Sequence, residues 1–173
     1  MKFARTHART FLIENTPLTS LVFSVLVLLL LAPVAHAQIN SPPPTGYKHL
    51  WSVPGLVNTV TLGTFFACTN TGTASATVGV QVFNAAGVSV NDPTATAVSV
   101  AAGGTTLIMT EAAAGLSGDS ILGLGVISKG SARILSSARA GIICSAFLAD
   151  TLSDPPTSMT ALTIVKKLAQ KGE

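Results

Sequence analysis

Short apolar runs that alternate with polar or small residues dominate the chain after residue 46. The clearest run is Ser75–Phe83, in which Ala76, Val78, Val80 and Val82 occupy every second position. Successive side chains of a β-strand point to opposite faces, so this spacing predicts a strand with one buried face.

Further runs follow the same pattern, with Gly, Asn and Asp between them. We predict strands at Thr59–Thr69, Ala97–Val100, Thr105–Met109, Ile121–Ser128, Arg133–Ser136, Gly141–Leu148 and Met159–Val165. Strands about 8–12 residues apart are typical of a sandwich or barrel. A helix is expected only over Thr110–Leu116, where it would have at most two turns. The prediction is an all-β fold: one antiparallel β-sandwich of roughly seven to nine strands over residues 47–165.

The first 37 residues have the pattern of a signal peptide. Basic residues within the first nine positions precede an apolar core at Leu21–Leu31. Ala35 and Ala37 then form an A-x-A site, which predicts a signal helix cleaved between Ala37 and Gln38. The alternative is an uncleaved membrane anchor over residues 17–37. Either way we expect export to a periplasmic or extracellular location.

Charge and composition change the picture once the signal is removed. The whole chain carries +3, but residues 1–37 hold three basic residues and one acid, which leaves +1. With 10% charged and 48% hydrophobic residues, the chain is unlike a disordered one, and no basic surface for nucleic acid is expected. Contact with a membrane is expected only through an uncleaved signal. A proline-rich linker at residues 38–46 and a basic tail at residues 166–173 flank the sandwich.

The two cysteines are expected to form one structural disulfide. Cys68 shares its predicted face with Leu62 and Phe66, and Cys144 lies in the run Gly141–Leu148. In an exported chain two cysteines most simply pair with each other. The chain has no C-x-x-C pattern, which argues against a redox-active pair.

Tyr47, His49 and Trp51 are the candidate ligand-binding residues. They are the only Tyr, the only Trp and the one His that remains after residue 37. At a spacing of two they would share one face of a strand and could stack on a sugar ring or a partner. The alternative is that they cover the open end of the core, as buried aromatic side chains commonly do.

Catalytic and metal-binding patterns are weak, so we expect no enzyme, no cofactor and no metal site. The string Gly118–Leu122 resembles the serine block of GDSL-type esterases, but no histidine base follows it. We interpret it as a turn that enters a strand. Lys129, Arg133 and Arg139 form a small basic group that is more typical of a solvated face.

One family resemblance is visible in the middle of the chain. The turn Asn70–Gly72, the valine strand at Val78–Val82, the turn at Gly87 and the entry Val100–Gly103 follow one another in order. This outline resembles bacterial immunoglobulin-like modules of the cell-adhesion-related (CARDB) type, and the rest of the chain looks like small bacterial exported proteins. The resemblance implies an immunoglobulin-like sandwich and export, but no ligand residues.

The function expected from these features is non-enzymatic. We expect a structural or adhesive role at the cell envelope, exerted through a protein partner. One alternative is a carbohydrate-binding module that uses Tyr47 and Trp51. Another is a pilus-type subunit that assembles by strand addition, with the N-terminal extended segment as donor.

Overall fold

The structure, a computed structural model, describes residues 41–166, and its regular elements are ten β-strands. They are β1 (Lys48–Asn58), β2 (Leu62–Asn70), β3 (Ala76–Phe83), β4 (Val98–Val100), β5 (Thr105–Met109), β6 (Ser120–Ile121), β7 (Ile127–Ser136), β8 (Ile142–Asp150), β9 (Met159–Ala161) and β10 (Val165–Lys166). The all-β prediction is confirmed. The strands outnumber the predicted seven to nine because short pieces such as β6 and β10 count separately. The predicted signal peptide and residues 167–173 of the tail lie outside the described residues.

The strands form two sheets of five. The first sheet has the order β10-β1-β7-β3-β4 and the second the order β6-β5-β2-β8-β9. Every pairing is antiparallel except that of β5 with β6. Consecutive strands β1, β2 and β3 therefore alternate between the sheets, which makes the fold a sandwich rather than a meander.

The main core lies between the two sheets, and β3 shows how the sequence forms it. Ala76, Val78, Val80 and Val82 are all buried in this core, as their spacing predicted. Opposite residues on β7 continue the same layer, because Ala132 pairs with Val82.

A second apolar cluster lies on the outer face of the second sheet. Its centre is Phe65, which is fully buried although its neighbour Phe66 points into the main core. Met109 and Phe147 pack with Phe65 there. The covering chain is the loop 110–119, where Leu116 contacts this cluster. Both faces of this sheet are thus buried near Phe65.

Asn70 ties two loops together at one end of the sandwich. Its side-chain amide donates to the carbonyls of Ala74 and Val100, at 2.8 and 2.9 Å. Its Oδ1 accepts from the N–H of Gly72, which closes the predicted Asn70–Gly72 turn. Asn70 is buried with its hydrogen-bonding groups used, as burial of a polar side chain requires.

Several element boundaries differ from the prediction. The run Ile121–Ser128 is not one strand, because Gly123 adopts a φ of +61° and residues 122–126 leave the sheet before β7 begins. No helix forms at Thr110–Leu116, which is loop. The run Met159–Val165 divides into β9 and β10, and its middle residues Leu162 and Ile164 pack against the core between the two sheets.

Candidate functional site

A β-bulge in β1 separates the side chains of His49 and Trp51. His49 pairs with Leu135 of β7, whereas Trp51 pairs with Ile134, so Leu50 is an extra residue in the strand. Neighbouring residues of β7 point to opposite faces, so these two side chains do as well. The shared face predicted from their spacing is therefore not observed.

The predicted aromatic residues have different surroundings. Trp51 is partly buried and packs against the main core. The Nε2 of His49 donates to the Trp51 carbonyl at 3.0 Å and lies 3.1 Å from the Ser52 hydroxyl. Tyr47 precedes β1 and is partly exposed. The three side chains do not form one platform.

Cys68 and Cys144 form the predicted disulfide. They are directly opposed on the neighbouring strands β2 and β8, with Cα atoms 4.1 Å apart. The bond therefore lies within the second sheet, and its sulfurs face the main core.

The esterase-like string is used structurally. Asp119 accepts hydrogen bonds from the Thr106 hydroxyl and the Leu107 N–H, at 2.9 and 2.8 Å. The Ser120 hydroxyl donates to the Thr96 carbonyl at 2.9 Å. These contacts hold the bend at Asp119 and the start of β6.

The most unusual polar arrangement is centred on Arg133, on the outer face of the first sheet. Its Nε donates to the Gln81 amide oxygen at 2.7 Å, from the neighbouring strand β3. One terminal nitrogen donates to the Ser41 carbonyl at 2.6 Å and the other to the Pro42 carbonyl at 3.2 Å. The guanidinium carbon is 5.4 Å from the centre of the Phe83 ring. We call these five residues the Arg133 site.

The Arg133 site holds a charge in a buried position. Arg133 is 2% exposed, and its described partners are neutral: an amide oxygen, two backbone carbonyls and a ring. Burial lowers the pKa of Arg133, but a guanidinium stays protonated at neutral pH. Its hydrogen bonds are therefore charge-assisted, and such bonds are the stronger class.

The outer face of the first sheet is covered by two chain segments, and this explains the burial of Arg133. The loop after β3 is in close contact with the strand, because a Cβ on Gly79 would lie 2.6 Å from the Pro93 carbonyl oxygen. Ser89 of the same loop accepts a hydrogen bond from Gln81. Residues 41–44 cover the adjoining part of the face, with the prolines at 43 and 44 partly buried.

Proline is suited to this position on a sheet face. A segment that lies on a sheet without joining it leaves its backbone groups without ladder partners. Prolines have no N–H to satisfy, so only their carbonyls need donors. Arg133 supplies one donor to the Pro42 carbonyl and another to the carbonyl of Ser41, which precedes the proline run. Residues 41–44 therefore lie on the outer face of the first sheet, and Arg133 binds two of their backbone carbonyls.

Sequence reasoning missed this site. Arg133 was grouped with Lys129 and Arg139 as a solvated basic patch, but only the latter two are exposed. The segment 38–46 was interpreted as a plain linker. Ser41 and Arg133 are 92 positions apart, and nothing in the local pattern of either segment points to the other. The only sequence feature that indicates this site is a single arginine at an outward-facing position of a central strand.

Three aspartates accept hydrogen bonds from hydroxyl and backbone N–H groups near them. Hydrogen bonds from Ser153, Leu152 and Thr157 lower the pKa of Asp150 to about 2. Hydrogen bonds from Thr94 lower the pKa of Asp92, and those from Leu107 and Thr106 lower the pKa of Asp119. Each shift comes from donors that stabilise the charged carboxylate.

Residues 41–166 contain no cluster of three His, Cys, Asp or Glu side chains suited to a metal ion. The same range has no helix with the length and apolarity needed to cross a bilayer.

Comparison with known proteins gives no relative for this chain. No protein-family model matches it, no curated protein matches it, and no solved structure matches its fold.

Proposed function

We propose that this protein is an exported, immunoglobulin-like sandwich that acts through protein contacts, in a structural or adhesive role at the cell envelope. The observation that carries this proposal is the Arg133 site, in which a buried guanidinium holds the backbone carbonyls of Ser41 and Pro42. Recognition of peptide backbone is protein-binding chemistry. It needs neither a reactive cleft nor a metal.

The strand order supports the immunoglobulin-like assignment. Immunoglobulin constant domains place strands A, B, E and D in one sheet and C, F and G in the other. Here β1, β7 and β3 are neighbours in the first sheet, and β2, β8 and β9 are neighbours in the second. If β1, β2, β3, β7, β8 and β9 correspond to B, C, D, E, F and G, the neighbours agree. Strands β4 to β6 are then an insertion between D and E, and β10 occupies the place of A.

The disulfide supports export. Disulfides persist in oxidising compartments and are rare in the cytosol of most organisms. The Cys68–Cys144 bond lies against the main core, which is typical of a structural bond. It agrees with the signal-like pattern of residues 1–37.

The glycan alternative has less support. A sugar platform needs exposed aromatic faces, whereas Trp51 packs against the core and His49 points to the other face. Tyr47 alone remains partly exposed. A glycan ligand is therefore treated as one outcome of the experiment below.

Binding to envelopes of the producing cell tests the proposal. The purified, fluorescently labelled protein would be added to three envelope preparations: untreated, protease-treated and periodate-oxidised. We expect saturable binding that unlabelled protein competes away, that is lost after protease and that survives periodate. Loss only after periodate, together with loss in a Tyr47→Ala variant, would establish the glycan alternative instead. Absence of saturable binding to untreated envelopes would overturn the proposal.

A further inference from the structure

The Arg133 site is occupied by a segment that follows the predicted signal peptide. If the signal is removed after Ala37, only Gln38, Ile39 and Asn40 precede Ser41. The occupant is then an N-terminal arm of a few residues. It is connected to the sandwich only on its C-terminal side, so it can leave the site without unfolding a strand.

A single turn directs this arm back over the sheet. The N–H of Tyr47 donates to the Pro44 carbonyl at 3.0 Å, and Gly46 between them has a φ of +86°. A positive φ at the third position of a four-residue turn is the signature of a type II turn. Thr45 and Gly46 are exposed, and a Cβ on Gly46 would meet nothing within 4 Å. This turn can therefore act as a hinge that opens without disturbing any packed group.

We propose that the Arg133 site of one copy accepts residues 41–44 of a second copy, so that the protein self-associates by exchange of its N-terminal arms. This inference rests on the proposed function and names the partner as a second copy of the chain. The exchanged arm would make the same bonds from its Ser41 and Pro42 carbonyls as the resident arm does.

The closed and exchanged forms differ mainly at the hinge. The contacts at Arg133 are the same in both, whereas the turn at Gly46 is closed in one and open in the other. A short linker gives the chain's own arm an effective concentration in the millimolar range, so the closed form predominates in dilute solution. A change that strains only the closed turn shifts the balance towards exchange.

Gly46→Ala is such a change, and Gly103→Ala is its matched control. Both glycines lie third in a turn closed by a backbone hydrogen bond, with φ of +86° and +76°, and a Cβ on either would meet nothing within 4 Å. An L-residue is disfavoured at positive φ by about tenfold in population. When two copies exchange arms, the turns at position 46 of both copies open, and the alanine in each loses this strain. Gly46→Ala should therefore lower the dissociation constant of the dimer by about 100-fold. Gly103→Ala should leave association unchanged.

The experiment is sedimentation velocity over a concentration series. It uses the chain expressed with its own leader and purified in its processed form. A synthetic peptide of residues 38–44 is then added in excess to the Gly46→Ala protein. We expect tighter dimerisation for Gly46→Ala alone, and dissociation of those dimers by the peptide, which competes for the Arg133 site. A third variant, Gly46→Ala with Arg133→Lys, should be monomeric. The ammonium of lysine cannot donate in the fixed planar geometry by which the guanidinium binds Gln81, Ser41 and Pro42 together.

The outcomes separate this inference from the proposed function. Equal association of the Gly46→Ala and Gly103→Ala proteins would overturn arm exchange. Dimers that the peptide does not dissociate would also overturn arm exchange. This readout does not depend on how well the Arg133→Lys variant folds. Binding of the peptide to a chain that stays monomeric would also overturn exchange between copies. If the protein fails to self-associate but still binds protease-sensitive envelopes, the inference fails and the proposed function stands.

Discussion

Replacing Phe65 with alanine tests the second apolar cluster, which lies on the face of β2 that the sequence pattern assigns to solvent. Phe65 is fully buried, and its ring stacks on that of Phe147 with centroids 5.3 Å apart and planes 9° from parallel. Truncation of a buried phenylalanine costs about 3–5 kcal/mol of unfolding free energy. About 0.5–1.5 kcal/mol of this is expected to depend on the partner ring. At about 4 °C per kcal/mol for a domain of this size, the melting temperature should fall by about 12–20 °C.

Urea denaturation followed by circular dichroism measures this loss. Ile143→Ala is the matched control, because Ile143 lies on the same outer face of the second sheet but is 58% exposed, and it should cost less than about 1 kcal/mol. A double-mutant cycle with Phe147→Ala isolates the stacking contribution. If Phe65→Ala costs no more than Ile143→Ala, the cluster does not contribute to stability and the reasoning is wrong.

Three further predictions concern the disulfide, one carboxylate and one glycine. Replacing Cys68 and Cys144 with alanine should lower stability by up to about 4.5 kcal/mol, from the entropy of the 76-residue separation, as measured by urea denaturation; a loss below 1 kcal/mol would refute this estimate. The folded-state pKa of Asp150, about 2, is below its unfolded value, so its stabilisation is present above about pH 4 and is lost as the pH falls towards 2. Thermal melts from pH 2 to 7 should therefore show a weaker acid dependence for Asp150→Asn than for the wild type, and identical profiles would contradict this. Gly79→Ala should cost about 1–3 kcal/mol, because its Cβ would lie 2.6 Å from a backbone oxygen, whereas Gly125→Ala, which meets nothing within 4 Å, should be nearly neutral in the same assay.

The faces between the two sheets could be predicted from the sequence because they follow one rule. The alternating valines of β3 are buried, and β5 has the predicted bounds Thr105–Met109. The disulfide followed from the number of cysteines and the signal-like N-terminus. In each case the determining information is local, either a period of two or a residue count.

The outer faces could not be predicted in this way, because their burial depends on distant segments. Gln81 occupies a position that alternation assigns to solvent, yet it is buried beneath the loop after β3. The bulge at Leu50 reverses the faces of the residues that follow it, up to the next register shift after Pro54, and one inserted residue leaves no mark in a short pattern. The candidate ligand residues Tyr47, His49 and Trp51 depended on that pattern, so their predicted grouping was lost with it.

The low charge of the chain and the Arg133 site both relate to how this fold satisfies its backbone hydrogen-bonding groups. This fold satisfies buried backbone groups with uncharged side chains. Thr64, for example, both donates to the Val57 carbonyl and accepts from the Val57 N–H beside a bulge in β1. Arg133 differs from Thr64, because it brings a positive charge to the backbone carbonyls that it binds. Every residue type has the same backbone carbonyl, so the hydrogen bonds from Arg133 do not select a particular side chain. The Arg133 site selects its occupant mainly by the absence of backbone N–H groups. Each N–H that a docking segment buries without an acceptor weakens its binding. Proline is the one residue that avoids this penalty, which is why we expect the site to prefer the proline run of a second copy to other extended peptides.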